Sequence, residues 1–215
     1  MAPRIVLIHA VTVAMPPIEA AFEALWPAAE RVNLLDDSLS PDRARDGRLT
    51  PAMTGRFRTL GQYAATIGAD GILFTCSAFG AAIEAVAAEQ AVPVLKPNEA
   101  MFEAALAHGR RLGLLATFEP SVASMTRELE EMAPEVVPDV VCVADAMAAL
   151  QAGDGGRHDR LLAEAAPRLA HCDAVMLAHF STARAAAAVA ARLACPVLSA
   201  PGSAVAKLKG ALEPG

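Results

Sequence analysis

Short, unbroken apolar runs alternate along this chain with longer stretches whose apolar residues recur three or four positions apart, the pattern of buried strands separated by amphipathic helices. Residues 5–10 are the first such run. Pro16-Pro17 then opens a helix carried by the pattern to about residue 29, because proline is tolerated in a first helical turn. A second strand is expected over 31–35. The polar stretch 36–50, with Pro41, Gly47 and several arginines, reads as a long loop of the kind that often covers a site. Thr50-Pro51 starts a helix to about residue 67, and Asn98 another to about 107. The pattern then begins again: a strand over 112–116, a helix from Pro120 to about 132, a strand over 136–143, helices over 145–151 and about 159–170, and a last helix over 201–212. Strands alternating with helices imply parallel sheets with right-handed crossovers.

One segment occurs twice. Residues 70–95 read DGILFTCSAFGAAIEAVAAEQAVPVL, and 173–198, placed 103 positions later, read DAVMLAHFSTARAAAAVAARLACPVL. They align without a gap and share Asp70/Asp173, the Val-Ala-Ala run from Val86/Val189, and Pro-Val-Leu from Pro93/Pro196. Each copy is a strand, a turn, a helix and a strand. The fold class expected is therefore α/β, with two pseudo-symmetric doubly wound lobes, each carrying a parallel sheet. The expected domains are 1–97, with the C-terminal helix at about 201–215, and 98–200. Ligands of such sheets bind beyond the carboxyl ends of the strands, which puts the expected site in the cleft between the lobes. At the turn after the first strand, one copy has Cys76 and the other His179.

Composition narrows the partners. Hydrophobic residues make up 54% and charged residues 20%, which describes a folded protein; a formal charge of −6, with no Lys/Arg cluster, argues against nucleic acid. No apolar segment is long and clean enough for a bilayer span, and residues 1–15, interrupted by His9 and Thr12, read as a first strand and not a secretory leader. The four cysteines, Cys76, Cys142, Cys172 and Cys195, have no CxxC or Cys/His ligand spacing, so reduced thiols in a cytoplasm are expected, and no metal site.

The chemistry concentrates in Thr75-Cys76-Ser77-Ala78. A cysteine between a strand end and a helix start feels the helix dipole, which favours thiolate, and the N–H groups of Ser77 and Ala78 could hold a carboxylate. His179 stands at the equivalent turn of the other lobe; imidazole titrates near neutrality and exchanges protons, and Ser181 or Thr182 could cap the helix that follows. Thr117 ends a strand and could bind an oxyanion, its first-lobe counterpart being the stretch 9–12. Cys142, Cys172 and Cys195 read as structural, and Thr54 and Arg56 as a solvated helix face. There is no GxGxxG, Walker loop or G-x-S-x-G, and Ala82 stands where a Cys-based phosphatase needs arginine.

At Thr75-Cys76-Ser77, at Leu115-Ala116-Thr117 and in the Asp-Ala-Val-Met-Leu-Ala unit before His179, the chain resembles the aspartate/glutamate/hydantoin racemase superfamily. The resemblance spans essentially the whole chain. It implies two α/β lobes, no cofactor, a small carboxylate-bearing substrate, and a homodimer, which is common in the family. It also implies a cysteine from each lobe, one removing the proton next to a carboxylate and the other returning it on the opposite face. Here the second cysteine position is His179, followed by Phe180 and Ser181; Ser77 stands where amino-acid racemases carry Asn-Thr, and His9-Ala10 near their Asp-Ser. The expected activity is a cofactor-independent racemase or isomerase, with Cys76 as thiolate base, His179 as the opposing acid/base, and Ser77, Ala78, Thr117, Phe180, Ser181 and Ala10 around the substrate. The alternatives are a single-cysteine decarboxylase of a malonate-type acid and a non-catalytic carboxylate-binding protein.

Overall fold

The computed structural model describes residues 2–213, side chains of Pro120 and Ser121 excepted. The chain divides into two units, Met1–Ala100 with Ala204–Gly215, and Met101–Ser203.

The first unit is a four-stranded parallel sheet in the order β2-β1-β3-β4, built from β1 (Arg4–His9), β2 (Glu30–Leu35), β3 (Gly71–Phe74) and β4 (Val94–Leu95). Its helices are α1 (Met15–Leu25), α2 (Leu39–Asp46), α3 (Pro51–Thr66), α4 (Gly80–Ala87) and α5 (Glu99–His108), the last running on into the second unit. The core is rich in aromatic rings: Phe57 of α3 stacks on Phe74 of β3 at 5.2 Å and meets Phe79 at 4.8 Å, all three buried. Such pairs add about 0.5–1.5 kcal/mol each beyond the apolar area they remove from water. Thr50 caps α3, its hydroxyl accepting from the Met53 N–H at 3.3 Å, and Pro51 supplies the first turn.

The second unit repeats the plan as β6-β5-β7-β8, again wholly parallel, from β5 (Leu112–Ala116), β6 (Asp139–Cys142), β7 (Ala174–Leu177) and β8 (Val197–Ser199). Around it lie α6 (Glu119–Met132), α7 (Ala144–Gln151), α8 (Gly155–Ala165), α9 (Ala186–Ala190) and α10 (Ala200–Leu212). Its core is aliphatic, with Leu115, Val141, Leu162, Leu169, Val175 and Leu177. The C-terminal part of α10 belongs to the first unit: Leu208 is buried against Gly71, where an added Cβ would stand 3.1 Å from its side chain. Trp26 donates to Glu213 at 3.1 Å, and Lys209 to the Leu25 carbonyl at 3.1 Å.

The repeated aspartates do the same work at the amino ends of both sheets. Asp70 accepts the Arg4 N–H at 2.7 Å; Asp173 accepts the N–H groups of Arg110 and Arg111 at 3.1 and 3.0 Å and the Arg111 guanidinium at 2.7 Å. Each satisfies backbone donors where a first strand begins. Gly109, at φ 154°, leaves the space Asp173 occupies; a Cβ there would come within 2.2 Å of its carboxylate.

Three local expectations are corrected. The stretch 36–50 is no long loop, since it contains α2. Asp36 accepts from the Ser38 hydroxyl at 2.8 Å to start it, Gly47 at φ 64° ends it, and Arg56 of α3 clamps it by donating to Asp36 at 3.0 Å and to Asp42 at 2.6 Å. The first helix stops at Leu25, and the helix after β7 opens as a 3-10 segment over Phe180–Ala185. Neither Ser181 nor Thr182 caps it. The Thr182 hydroxyl points back to the Ala178 carbonyl and to that of His179, at 2.9 Å from the latter.

Candidate functional site

Strand register makes the two carboxyl ends comparable position by position. Ile5 pairs with Gly71 and Leu112 with Ala174, so Cys76 corresponds to His179, Thr75 to Ala178, His9 to Ala116 and Ala10 to Thr117. The joints match too: the Thr75 N–H donates to the Ile8 carbonyl at 3.1 Å, and the Ala178 N–H to the Leu115 carbonyl at 3.0 Å.

In the first unit the structure brings Ala10, Cys76, Ser77 and Ala78 to one end of the sheet. Cys76 leaves β3 extended (φ −127°, ψ 116°), half-buried and packed against the aromatic core, ahead of a 3-10 turn over Ser77–Phe79. Burial pushes its thiol above the ordinary range, against the Ala78 N–H and the Ser40 hydroxyl, both of which hydrogen-bond the sulfur and pull it down. Desolvation therefore outweighs the expected help from the helix start, and the free thiol is held protonated at neutral pH. The Ala78 amide, expected to cradle a carboxylate, is aimed at the sulfur itself.

Sequence reasoning missed three residues here. Ser40 lies in the stretch read as loop. Asn33 and Glu19 complete a chain of hydrogen bonds that ends beside Cys76. Glu19 accepts from the Asn33 side-chain amide at 2.8 Å, which turns the Asn33 oxygen toward His9 Nε2, also at 2.8 Å. A carboxylate only accepts, so each role follows: Asn33 donates to Glu19, His9 Nε2–H donates to Asn33, and His9 Nδ1 accepts from the Thr75 hydroxyl at 2.8 Å. Burial lowers the His9 pKa, consistent with this neutral tautomer. His9 is fully buried. It is a brace across β1, β2 and β3, and the residue it braces adjoins Cys76.

The second unit gathers Thr117, His179, Phe180 and Ser181 at its own strand ends. His179 has φ 71° and ψ 154°, the sole positive φ at a non-glycine among the described residues. That region is almost confined to glycine and costs on the order of 1–3 kcal/mol, a strain that clusters at functional sites. Burial lowers the His179 pKa, so its imidazole is neutral at neutral pH. Phe180 is buried directly after it. The Thr117 hydroxyl oxygen is buried with no hydrogen-bond partner among the described residues. An orphaned hydroxyl costs about 1–3 kcal/mol, unless a bound group supplies the missing partner.

The sequence matches the family model described as Asp/Glu/Hydantoin racemase over residues 8–171. No curated protein matches it. Solved structures of similar fold include an allantoin racemase from Klebsiella pneumoniae, at 18% identity and TM-score 0.75, covering 98% of this chain and 88% of that one. A glutamate racemase from Thermus thermophilus, in complex with beta-chloro-D-alanine, matches at 20% identity and TM-score 0.66, covering 99% and 81%. An unliganded arylmalonate decarboxylase matches at 18% identity and TM-score 0.64, covering 96% and 91%. At these identities the likeness is one of fold. Among the described residues no helix is long and apolar enough to cross a membrane.

Proposed function

The chain belongs to the Asp/Glu/hydantoin racemase family, and from that premise we propose a racemase or isomerase of a small carboxylate-bearing compound that works by proton transfer at the carbon next to the carboxylate, without a cofactor. Cys76 and His179 are the two proton-transfer groups. The observation that carries this reading is the occupancy of one equivalent strand-end turn by a thiol and by an imidazole held in a glycine-like backbone conformation.

Burial gives the pair complementary resting states. A neutral imidazole accepts a proton and a neutral thiol donates one. In one direction His179 takes the α-proton and Cys76 returns one to the opposite face. That leaves an imidazolium and a thiolate, the state from which Cys76 acts as base in the reverse direction. The enolate-like intermediate needs fixed donors, and the Ser77 N–H and the Thr117 hydroxyl are the groups we assign to it, with Ser181, Phe180 and Ala10 shaping the surroundings. The orphaned Thr117 oxygen supports its part in this.

A panel of small acids, amino acids and hydantoin-type compounds incubated in deuterium oxide tests the proposal. α-Deuteration lost in both Cys76→Ala and His179→Ala is expected; exchange that survives Cys76→Ala sinks it. The protonated Cys76 favours a second reading, decarboxylation of a substituted malonate in which the thiol protonates the carbanion. Release of carbon dioxide from such a malonate, sensitive to Cys76→Ala and insensitive to His179→Ala, selects it. A protein that binds these acids with neither exchange nor decarboxylation is a carboxylate-binding member of the family.

A further inference from the structure

The amino end of the second sheet holds a group of side chains that the proton-transfer chemistry does not use. Asp139 opens β6, and His171 and Cys172 lie just before β7; in strand order the two are separated by β5. One ligand atom from each, a carboxylate oxygen, an imidazole nitrogen and the thiol sulfur, all lie within 4.8 Å of one another. His171 Nε2 and Asp139 Oδ2 are 2.7 Å apart. The space between β6 and β7 is kept open by Gly113 on β5, paired with Asp139 on one side and Val175 on the other; a Cβ there would stand 3.2 Å from Cys172 Sγ. Cys172 is buried at the base of the group while Asp139 and His171 are exposed above it, so the sulfur is fixed and the other two ligands are free to close in.

We propose that Asp139, His171 and Cys172 form a binding site for a borderline-soft divalent cation of the zinc class, at the opposite end of this sheet from His179. The donor set fits such an ion: one sulfur, one nitrogen and one oxygen, with water in the fourth position of a tetrahedron. Metal–ligand bonds of about 2.0–2.3 Å place tetrahedral ligands roughly 3.3–3.8 Å apart, which exposed Asp and His side chains reach by rotation. Binding balances without redox chemistry. The Cys172 thiol releases its proton to water as the metal–sulfur bond forms, and the His171 proton moves to Nδ1 as Nε2 takes the metal. Binding ties the start of β6 to that of β7.

Cobalt(II) titration of the full chain carrying Cys76→Ser, which removes the other candidate thiolate, tests this. One equivalent of Co2+ is expected to give a sulfur-to-cobalt charge-transfer band with tetrahedral visible absorption, displaced by Zn2+. Cys172→Ser abolishes the band, and His171→Ala and Asp139→Asn each weaken binding by about tenfold or more. The last two lie on the surface and keep the test decisive if Cys172→Ser fails to fold. No thiolate band, or a band that survives His171→Ala and Asp139→Asn at undiminished affinity, overturns the proposal.

Discussion

The two sheets share one frame down to matching hydrogen bonds, yet their carboxyl ends are furnished in opposite ways. In the first unit, polarity is spent inside: His9 and Thr75 brace each other and Asn33, and Cys76 sits in an ordinary extended conformation beside them. In the second, the matching positions are Ala116 and Ala178, with no brace, and the polarity lies in Thr117, orphaned, and His179, strained. One end satisfies its polar groups and holds a thiol on a rigid base. The other strains the backbone of its histidine and leaves the Thr117 hydroxyl without a partner among the described residues, which is the condition a bound ligand relieves.

The sharpest test removes the reacting groups. Cys76→Ala and His179→Ala should each lower α-proton exchange by about 10²–10⁴-fold, the usual worth of a positioned acid or base. A loss confined to Cys76→Ala would mean that only the braced end does chemistry. Next comes the brace. His9→Ala empties a fully buried site and leaves the Thr75 hydroxyl only the Ile8 carbonyl at 3.4 Å, and should cost about 2–4 kcal/mol in denaturant unfolding, where Ala116→Gly in the other unit should cost less than half as much. The strain at His179 predicts an inversion: His179→Gly should be more stable than His179→Ala by about 1 kcal/mol, against the ordinary preference for alanine. Both should be inactive.

The pH profile of exchange separates the two resting states. His179 lies below the ordinary imidazole value of about 6.5, so activity should hold as pH falls to neutrality and drop only below that value as the imidazole protonates. Cys76 lies above the ordinary thiol value of about 8.5, so the alkaline limb should begin above it, where the thiol ionises. Activity that rises through the thiol range would instead mark a thiolate base from the outset. Smallest is Arg56→Gln, which takes the α3 clamp off Asp36 and Asp42, leaving them Ser38 and Arg45, and loosens α2 and with it the Ser40 contact to the sulfur. Losing that hydrogen bond raises the thiol further, so alkylation of Cys76 near neutral pH should slow a few-fold.

The repeat made the equivalence of Cys76 and His179 legible, because strands, turns and Pro-Val-Leu recur at one offset and that offset is the sheet register. What escaped were features set by partners distant in the chain. α2 has a loop's composition and is held by Arg56, some twenty residues from Asp36. His9 looks like an interruption of an apolar run until β2 and β3 bring Asn33 and Thr75 to its two nitrogens. Cys172 reads as structural because Asp139 lies 32 positions from His171, a spacing no local ligand motif has. The backbone of His179 leaves no mark in its neighbours' identity at all.

The first unit is assembled from two pieces of chain, and this fixes an order of events during synthesis. The second unit is continuous and can close as soon as residue 203 has left the ribosome. The first cannot, since Leu208 against Gly71 and Glu213 against Trp26 are supplied only afterwards. The half that is translated first is the half that finishes last, and until it does, the Cys76 thiol waits on an incomplete core.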